Sequence, residues 1–255
     1  MSTSAPAAPN ARDDWEHIDC PVCAGQTFIH LFDKSGEPFV RCEGCTLTLI
    51  NPRPPFDLIR AGYDAAYSAN YTRKAEKKLK RARRRVARLV REFSLRGRWL
   101  DVGCSAGFVV RAAADAGFEA HGVDIETAAI AYGRKTLHLS HLREGLVHEQ
   151  NYPDACFDAV SAYDVIEHVP DLNAFVAELA RILAPHGVLD LGTPDIGHWR
   201  VPRRLERWDE LKPSEHLYYF DRKTLGRLLD RHGLVIVRSR FALKPGLKVS
   251  VRHRR

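Results

Sequence analysis

The chain predicts an α/β fold, a doubly wound and mostly parallel sheet of seven strands, preceded by a small cysteine-knuckle module. Three observations predict it. From Trp99 onward, apolar runs alternate with helical segments, the pattern of parallel strands joined by crossover helices. The stretch Trp99-Leu-Asp-Val-Gly-Cys-Ser-Ala-Gly-Phe108 reads as a buried strand, a glycine turn and the start of a helix. Near the N-terminus, four of the six cysteines fall into two C-x-x-C pairs. With 255 residues, 45% of them apolar, the chain can bury a sizeable core.

Residues 1–14 begin with Ser, Ala, Pro and Asn, without a charged start or an apolar centre, and read as a disordered tail rather than a leader. No apolar run is long enough to span a bilayer, so the expectation is a cytoplasmic protein. Residues 15–55 hold Cys20-Pro-Val-Cys23 and Cys42-Glu-Gly-Cys45, eighteen residues apart. Two such knuckles suit a zinc ion held tetrahedrally by all four cysteines, a closed shell that makes it structural. Thr27–Phe32 with Phe39–Arg41 suit the strands of a zinc ribbon. A disulfide pairing fits a cytosolic chain poorly. Asn51-Pro-Arg-Pro-Pro55 must run extended and marks the exit from this module.

Residues 56–98 carry Tyr63, Tyr67 and Tyr71, four apart, either an aromatic stripe across a ligand mouth or packing against the main domain. A basic segment follows. Arg73 to Arg98 holds thirteen Lys and Arg against two Glu, whereas the whole chain has a net charge of only +7. Ala75, Leu79, Ala82, Val86, Leu89 and Phe93 recur at helical spacing, so the segment is an amphipathic helix with a cationic polar face. That face is either solvated or a footprint for nucleic-acid phosphate or an acidic membrane surface.

Residues 99–255 form the main domain. Gly103 and Gly107 open a turn where backbone N–H groups can approach a ligand, and the helix after it stops near Gly117. A second strand, Glu119 to Val123, ends in Asp124, placed to accept both hydroxyls of a ribose. Ser105 stands where a dinucleotide fingerprint has its middle glycine, and Asp101 precedes the turn. An acid there repels a pyrophosphate but suits an ammonium and a sulfonium, which favours S-adenosylmethionine over a nicotinamide dinucleotide. Asp101, Gly103, Cys104, Gly107, Asp124, Ile125, Leu146 and Tyr163 are the expected cofactor-binding residues, with Cys104 a small space-filling residue rather than a nucleophile.

Beyond Asp124 a helix covers Thr127 to Lys135, a weak strand lies near Leu146, and Phe157 to Tyr163 is a strand. A helix from Leu172 to Leu183, a strand from Gly187 to Gly192 and a polar Trp-containing connection to Glu215 follow. Asp221 caps a helix reaching His232, and Leu234–Arg238 and Leu247–Val251 are the last strands.

From Trp99 to about Phe241 the chain resembles the class I S-adenosylmethionine-dependent methyltransferases, which are Rossmann-like. The likeness rests on the glycine turn, the ribose acid, the Phe157-Asp-Ala-Val strand and the Asp164-Val-Ile-Glu-His-Val block. The cysteine knuckles, Asn51-Pro-Arg-Pro, the spaced tyrosines and Pro213-Ser-Glu-His-Leu-Tyr-Tyr-Phe220 are similar to one branch of that family. The resemblance implies a methyl transfer, without naming the acceptor. One departure stands out: Leu146 occupies the position where many relatives carry an acid for the adenine amino group.

Transfer needs an acceptor held in line with the methyl and, for oxygen or nitrogen, a route for its proton. Glu167, His168 and His216 are the catalytic candidates. Asp164-x-x-Glu167-His168 also resembles the acid-x-x-Glu-His block of metal-dependent small-RNA 2′-O-methyltransferases and the Glu-His-Val of ubiquinone-type O-methyltransferases; the resemblance leaves two readings, a divalent metal near Asp164, Glu167 and His168, or a Glu and His that cap the helix or line the pocket as in metal-free relatives. The sequence therefore supports a methyltransferase acting on a small-molecule acceptor, at oxygen before nitrogen or carbon. The alternative is an RNA-binding or RNA-methylating protein that uses the ribbon and the basic helix. Oligomeric state leaves no mark in the sequence.

Overall fold

The computed structural model describes residues 14–56 and 74–254; the tail through residue 13 and Tyr63, Tyr67 and Tyr71 lie outside the described residues. Three strands open the chain: β1 (Phe28–Lys34), β2 (Glu37–Cys42) and β3 (Thr48–Ile50). Helix α1 (Ala75–Phe93) then leads to the βα alternation: β4 (Arg98–Val102), α2 (Phe108–Asp115), β5 (Glu119–Asp124), α3 (Thr127–Thr136), β6 (Leu142–Glu144), β7 (Phe157–Tyr163), α4 (Leu172–Ile182) and β8 (Leu183–Thr193). The two-residue β9 (Tyr218–Tyr219), α5 (Arg222–Arg231), β10 (Leu234–Ser239) and β11 (Leu247–His253) complete it.

The large sheet runs β10-β11-β8-β7-β4-β5-β6, seven strands, with β11 alone running against the other six. Its strands bury apolar side chains on both faces, as a sheet covered by helices must. From β4 the chain winds outward through β5 and β6, then returns to lay β7 on the other side of β4. That reversal leaves a crevice at the carboxyl ends of β4 and β7, where ligands of open α/β sheets bind.

Helix α1 exists because Ala82, Val86 and Leu89 fall on one stripe, which packs with Trp99, Val110 and Phe118. Trp99 is fully buried; its indole N–H donates to Ser161 Oγ at 3.0 Å, and its ring meets Phe118 edge-on at 5.2 Å. The cationic face of α1 is not one solvated surface. Lys77, Lys80, Arg84 and Arg91 are exposed, but half-buried Arg85 and the exposed Arg81 line the central cleft and Arg88 pairs with Asp190 at 3.7 Å. Helices α4 and α5 start where expected: the carboxylates of Asp171 and Asp221 accept the backbone N–H of Ala174 and Thr224.

The strand expected near Leu146 lies earlier, at β6. Gly145 takes φ +116 and ends the strand, and Leu146 leads into a short 3-10 turn, Val147–Gln150. The N-terminal strands form a second sheet, β1-β2-β3-β9, in which β9 comes from the far end of the main domain. Further links bind the two: buried Glu37 accepts Ser214 N–H at 2.8 Å, and Lys34 donates to the Leu211 carbonyl at 2.9 Å. The Asn51–Pro55 run is tied down as well. The Asn51 side chain bonds both backbone groups of Ile18, and buried Arg53 donates to Tyr218 Oη at 2.5 Å.

Candidate active site

The glycine turn is held by the neighbouring strand: Gly103 and Cys104 N–H groups donate to the Val123 carbonyl at 2.9 and 3.1 Å. Gly103 has φ +67, and a Cβ there would meet Val165 at 2.2 Å, so both conformation and space require glycine. Gly107, at φ +81, starts α2, and a Cβ there would come within 2.6 Å of Leu139. Past the turn, the Asp124 carboxylate accepts Ser105 N–H at 2.7 Å and Glu126 N–H at 2.9 Å, which fixes it at the end of β5. Burial raises its pKa against the pull of these hydrogen bonds.

These groups border a cleft of about 610 Å³. Of the sequence-expected cofactor residues, Gly103, Asp124, Ile125, Leu146 and Tyr163 line it, and Asp101, Cys104 and Gly107 do not. Asp101 is 4% exposed and accepts Ser161 Oγ at 2.5 Å; burial pushes its carboxyl up to about 7. Cys104 is buried, and the same desolvation, with Asp124 and Asp101 near it, holds its thiol well above the ordinary range. Tyr163 donates to Asp190 Oδ2 at 2.8 Å beneath the Arg85 guanidinium, which lies 3.5 Å from its ring centre. The cationic lining from Arg81, Arg85 and Lys248 was not foreseen. Only the helical period of α1 hinted at it: Arg81 and Arg85 share a turn next to the buried stripe.

Glu167, His168 and His216 meet in this cleft, with one ligand atom from each within 4.8 Å of the others. Glu167 is 1% exposed. Its Oε2 accepts Thr193 Oγ1 at 2.9 Å, and its Oε1 has no hydrogen-bond partner among the described residues. His168 Nδ1 lies 2.7 Å from the Glu215 carbonyl, and His216 Nδ1 lies 2.9 Å from the Glu210 carbonyl. A carbonyl only accepts, so Nδ1 carries the proton in both rings and Nε2 carries the lone pair. Burial lowers the two imidazoles to about 4 and about 3, which keeps them neutral. Burial, then the Asp164 charge, raises Glu167 to about 8.

Glu167, His168 and His216 form this close group, and Asp164 is not among the residues whose ligand atoms all lie within 4.8 Å of one another. The chain turns left-handed at Asp164, φ +57, with its N–H on the Gly192 carbonyl. Its carboxyl then lies under the influence of Arg85, Arg81, Lys212 and Lys248, though burial is the larger effect and raises its pKa. His216 joins the cluster through its backbone neighbours: Leu217 N–H donates to the Glu167 carbonyl at 2.8 Å, and the Leu217 carbonyl accepts Ile50 N–H.

Away from the cleft, Cys20, Cys23, Cys42 and Cys45 bring their sulfurs within 4.8 Å of one another, with Cys20–Cys45 and Cys23–Cys42 both at 3.4 Å. No helix among the described residues is long and apolar enough to cross a membrane.

A methyltransferase-domain family model matches residues 71–239. The chain is 28% identical over 174 residues to a ubiquinone biosynthesis O-methyltransferase of Rhodopseudomonas palustris, covering 60% of this chain and 68% of that one. Its fold is shared by the magnesium protoporphyrin IX methyltransferase of Synechocystis with bound S-adenosylhomocysteine (TM-score 0.59, 17% identity, 79% of this chain and 100% of the other). It is shared too by an S-adenosylmethionine-dependent methyltransferase of Mesorhizobium loti (TM-score 0.52, 19% identity, 61% and 90%). The crevice at the strand reversal, the glycine turn fixed to Asp124 and the matching family model together identify the chain as a member of the methyltransferase-domain family, an S-adenosylmethionine-dependent enzyme.

Proposed function

We propose that this enzyme methylates an oxygen of a small-molecule acceptor, with the acceptor hydroxyl facing Glu167, His168 and His216. The observation that carries the reading is the convergence of this trio on the cleft that Gly103 and Asp124 also border. S-adenosylmethionine, when bound, supplies a methyl made electrophilic by its sulfonium. Gly103 would let the backbone approach that cofactor closely, and Asp124 would accept its ribose hydroxyls. Leu146 would offer the adenine an apolar contact in place of an acid for its amino group. Val102, Val123 and Val147 give the cleft dry walls, and the enclosure orients the acceptor and excludes water. The Nε2 lone pairs of His168 and His216 face the acceptor proton, but imidazoles near 3 and 4 are weak bases at neutral pH.

The trio also fits a divalent cation. The support is the buried Glu167 Oε1 without a hydrogen bond beside two Nε2 lone pairs, two nitrogens and an oxygen of the type that binds zinc, manganese or iron. Such an ion would supply the acidity that the imidazoles lack. The four cysteines fit a structural zinc: bonds of roughly 2.3 Å put tetrahedral sulfurs about 3.8 Å apart, near the 3.4 Å seen in two pairs.

The test pairs two variants on the purified chain, with binding of S-adenosylhomocysteine measured by calorimetry and methyl transfer from labelled S-adenosylmethionine measured in fractionated extract. Asp124→Ala should weaken binding at least about 100-fold. His216→Ala should leave binding within about threefold and lower transfer at least about 100-fold, into the small-molecule fraction. Wild-type binding in Asp124→Ala would reject the cofactor site, and label confined to RNA would reject the small-molecule acceptor.

A further inference from the structure

The cleft contains a cationic region that methyl transfer alone leaves unused. Arg81 and Arg85 enter it from one face of α1, and Lys248 enters it from the start of β11. Arg88, next on the same face, is already paired with Asp190. The Arg85 guanidinium sits over the Tyr163 ring, 3.5 Å from its centre, a contact that holds the guanidinium without neutralising it. Among the described residues, Arg81, Arg85 and Lys248 have no ion-pair partner, and Lys212, also in the lining, has only Glu210 at 3.9 Å. The acid that acts on all four is Asp164.

The cations are close enough to act on one another. Burial lowers the Lys248 ammonium, and Arg81, Arg85 and Arg88 lower it further against the opposing pull of Asp164. Asp164 is one carboxylate against four cations, and holding the remaining like charges together in the cleft is unfavourable unless a further anion sits among them. S-adenosylmethionine does not provide that anion on balance. Its carboxylate is matched by its own ammonium, and its sulfonium leaves it with a net positive charge.

We infer that the methyl acceptor is an oxyanion, a small molecule bearing a carboxylate or phosphate that docks against Arg81, Arg85 and Lys248 while its hydroxyl reaches the Glu167–His168–His216 trio. Guanidinium forks match the geometry of either oxyanion, and a charge-assisted hydrogen bond is strong enough to select for it. This inference rests on the methyltransferase reading of the same cleft.

The test is calorimetry on the full chain saturated with S-adenosylhomocysteine at constant ionic strength. The probes are inorganic phosphate, benzoate and uncharged benzyl alcohol. An oxyanion should bind at least about tenfold tighter than benzyl alcohol, and Lys248→Gln or Arg81→Gln should each remove about tenfold of that, equivalent to about 1.4 kcal/mol. The preference between phosphate and benzoate identifies the oxyanion. S-adenosylhomocysteine binding should stay within about threefold in both variants. The inference is overturned by anions that bind no better than benzyl alcohol. It is also overturned if the variants lose S-adenosylhomocysteine and keep the anion, for the cations would then serve the cofactor's carboxylate. A wild-type chain that fails to bind S-adenosylhomocysteine would strike the methyltransferase reading instead, and the anion titration of the free chain would still decide this one.

Discussion

Asp101 shows how far a residue's environment departs from its identity. The sequence suggests a carboxylate at the cofactor; in the fold the side chain sits inside the sheet, 4% exposed, taking the Ser161 hydroxyl. Desolvation dominates and lifts it to about 7, while the Ser161 bond and Arg85 pull the other way. Unfolded, it titrates near 3.9. Between those values the folded chain binds more protons, so this contribution is present in full below about pH 4 and is lost as pH rises to about 7, up to about 4 kcal/mol in all. Asp101→Asn should remove that slope. Melting curves from pH 5 to 8 should show the variant gaining on wild type as pH rises, and parallel curves would reject the assignment.

At the scale of elements, β9 has the largest consequence for its size. Its two residues pair with Thr48 and Leu49 of β3, and Tyr218 within it accepts from buried Arg53 and donates to the Pro170 carbonyl at 3.0 Å. Tyr218→Phe should leave a buried guanidinium one acceptor short, a loss of about 1–3 kcal/mol. That corresponds to a melting temperature lower by roughly 3–10 °C; a shift under about 1 °C would mean water replaces the hydroxyl. Strands β3 and β9 were not legible in advance. Three or two fully buried residues show no alternation to read, and the pairing of β3 with β9 joins positions some 170 apart. The longer periodic elements were legible: β4, β5, β7, α4 and α5 lie within a residue or two of their sequence-expected bounds. The glycine turn with Asp124 was legible for the same reason, since strand, turn and acid are local in sequence.

Across the whole molecule, the cysteine module is joined to the cleft through the smaller sheet, in which β3 pairs with β9. Damage to the cysteines should therefore travel through β3 and β9 to His216, which directly precedes Leu217 and its bonds to Glu167 and Ile50. Cys45→Ser should lower the melting temperature by several degrees and lower kcat at least about tenfold. S-adenosylhomocysteine binding should stay within about threefold, because Gly103 and Asp124 belong to the other sheet. Full turnover in that variant would show the two parts to be uncoupled.

The sequence by itself determined the sheet, its strand alternation, the glycine turn with its acid and the pairing of cysteines into knuckles, because each is written in neighbouring residues or a regular period. Tertiary structure decided the rest. It buried Asp101, brought His216 beside Glu167 and His168, and turned two arginines of a helix toward the cleft. Those outcomes depend on which distant segments pack together, and burial and neighbouring charge, set by that packing, determine what each side chain can do.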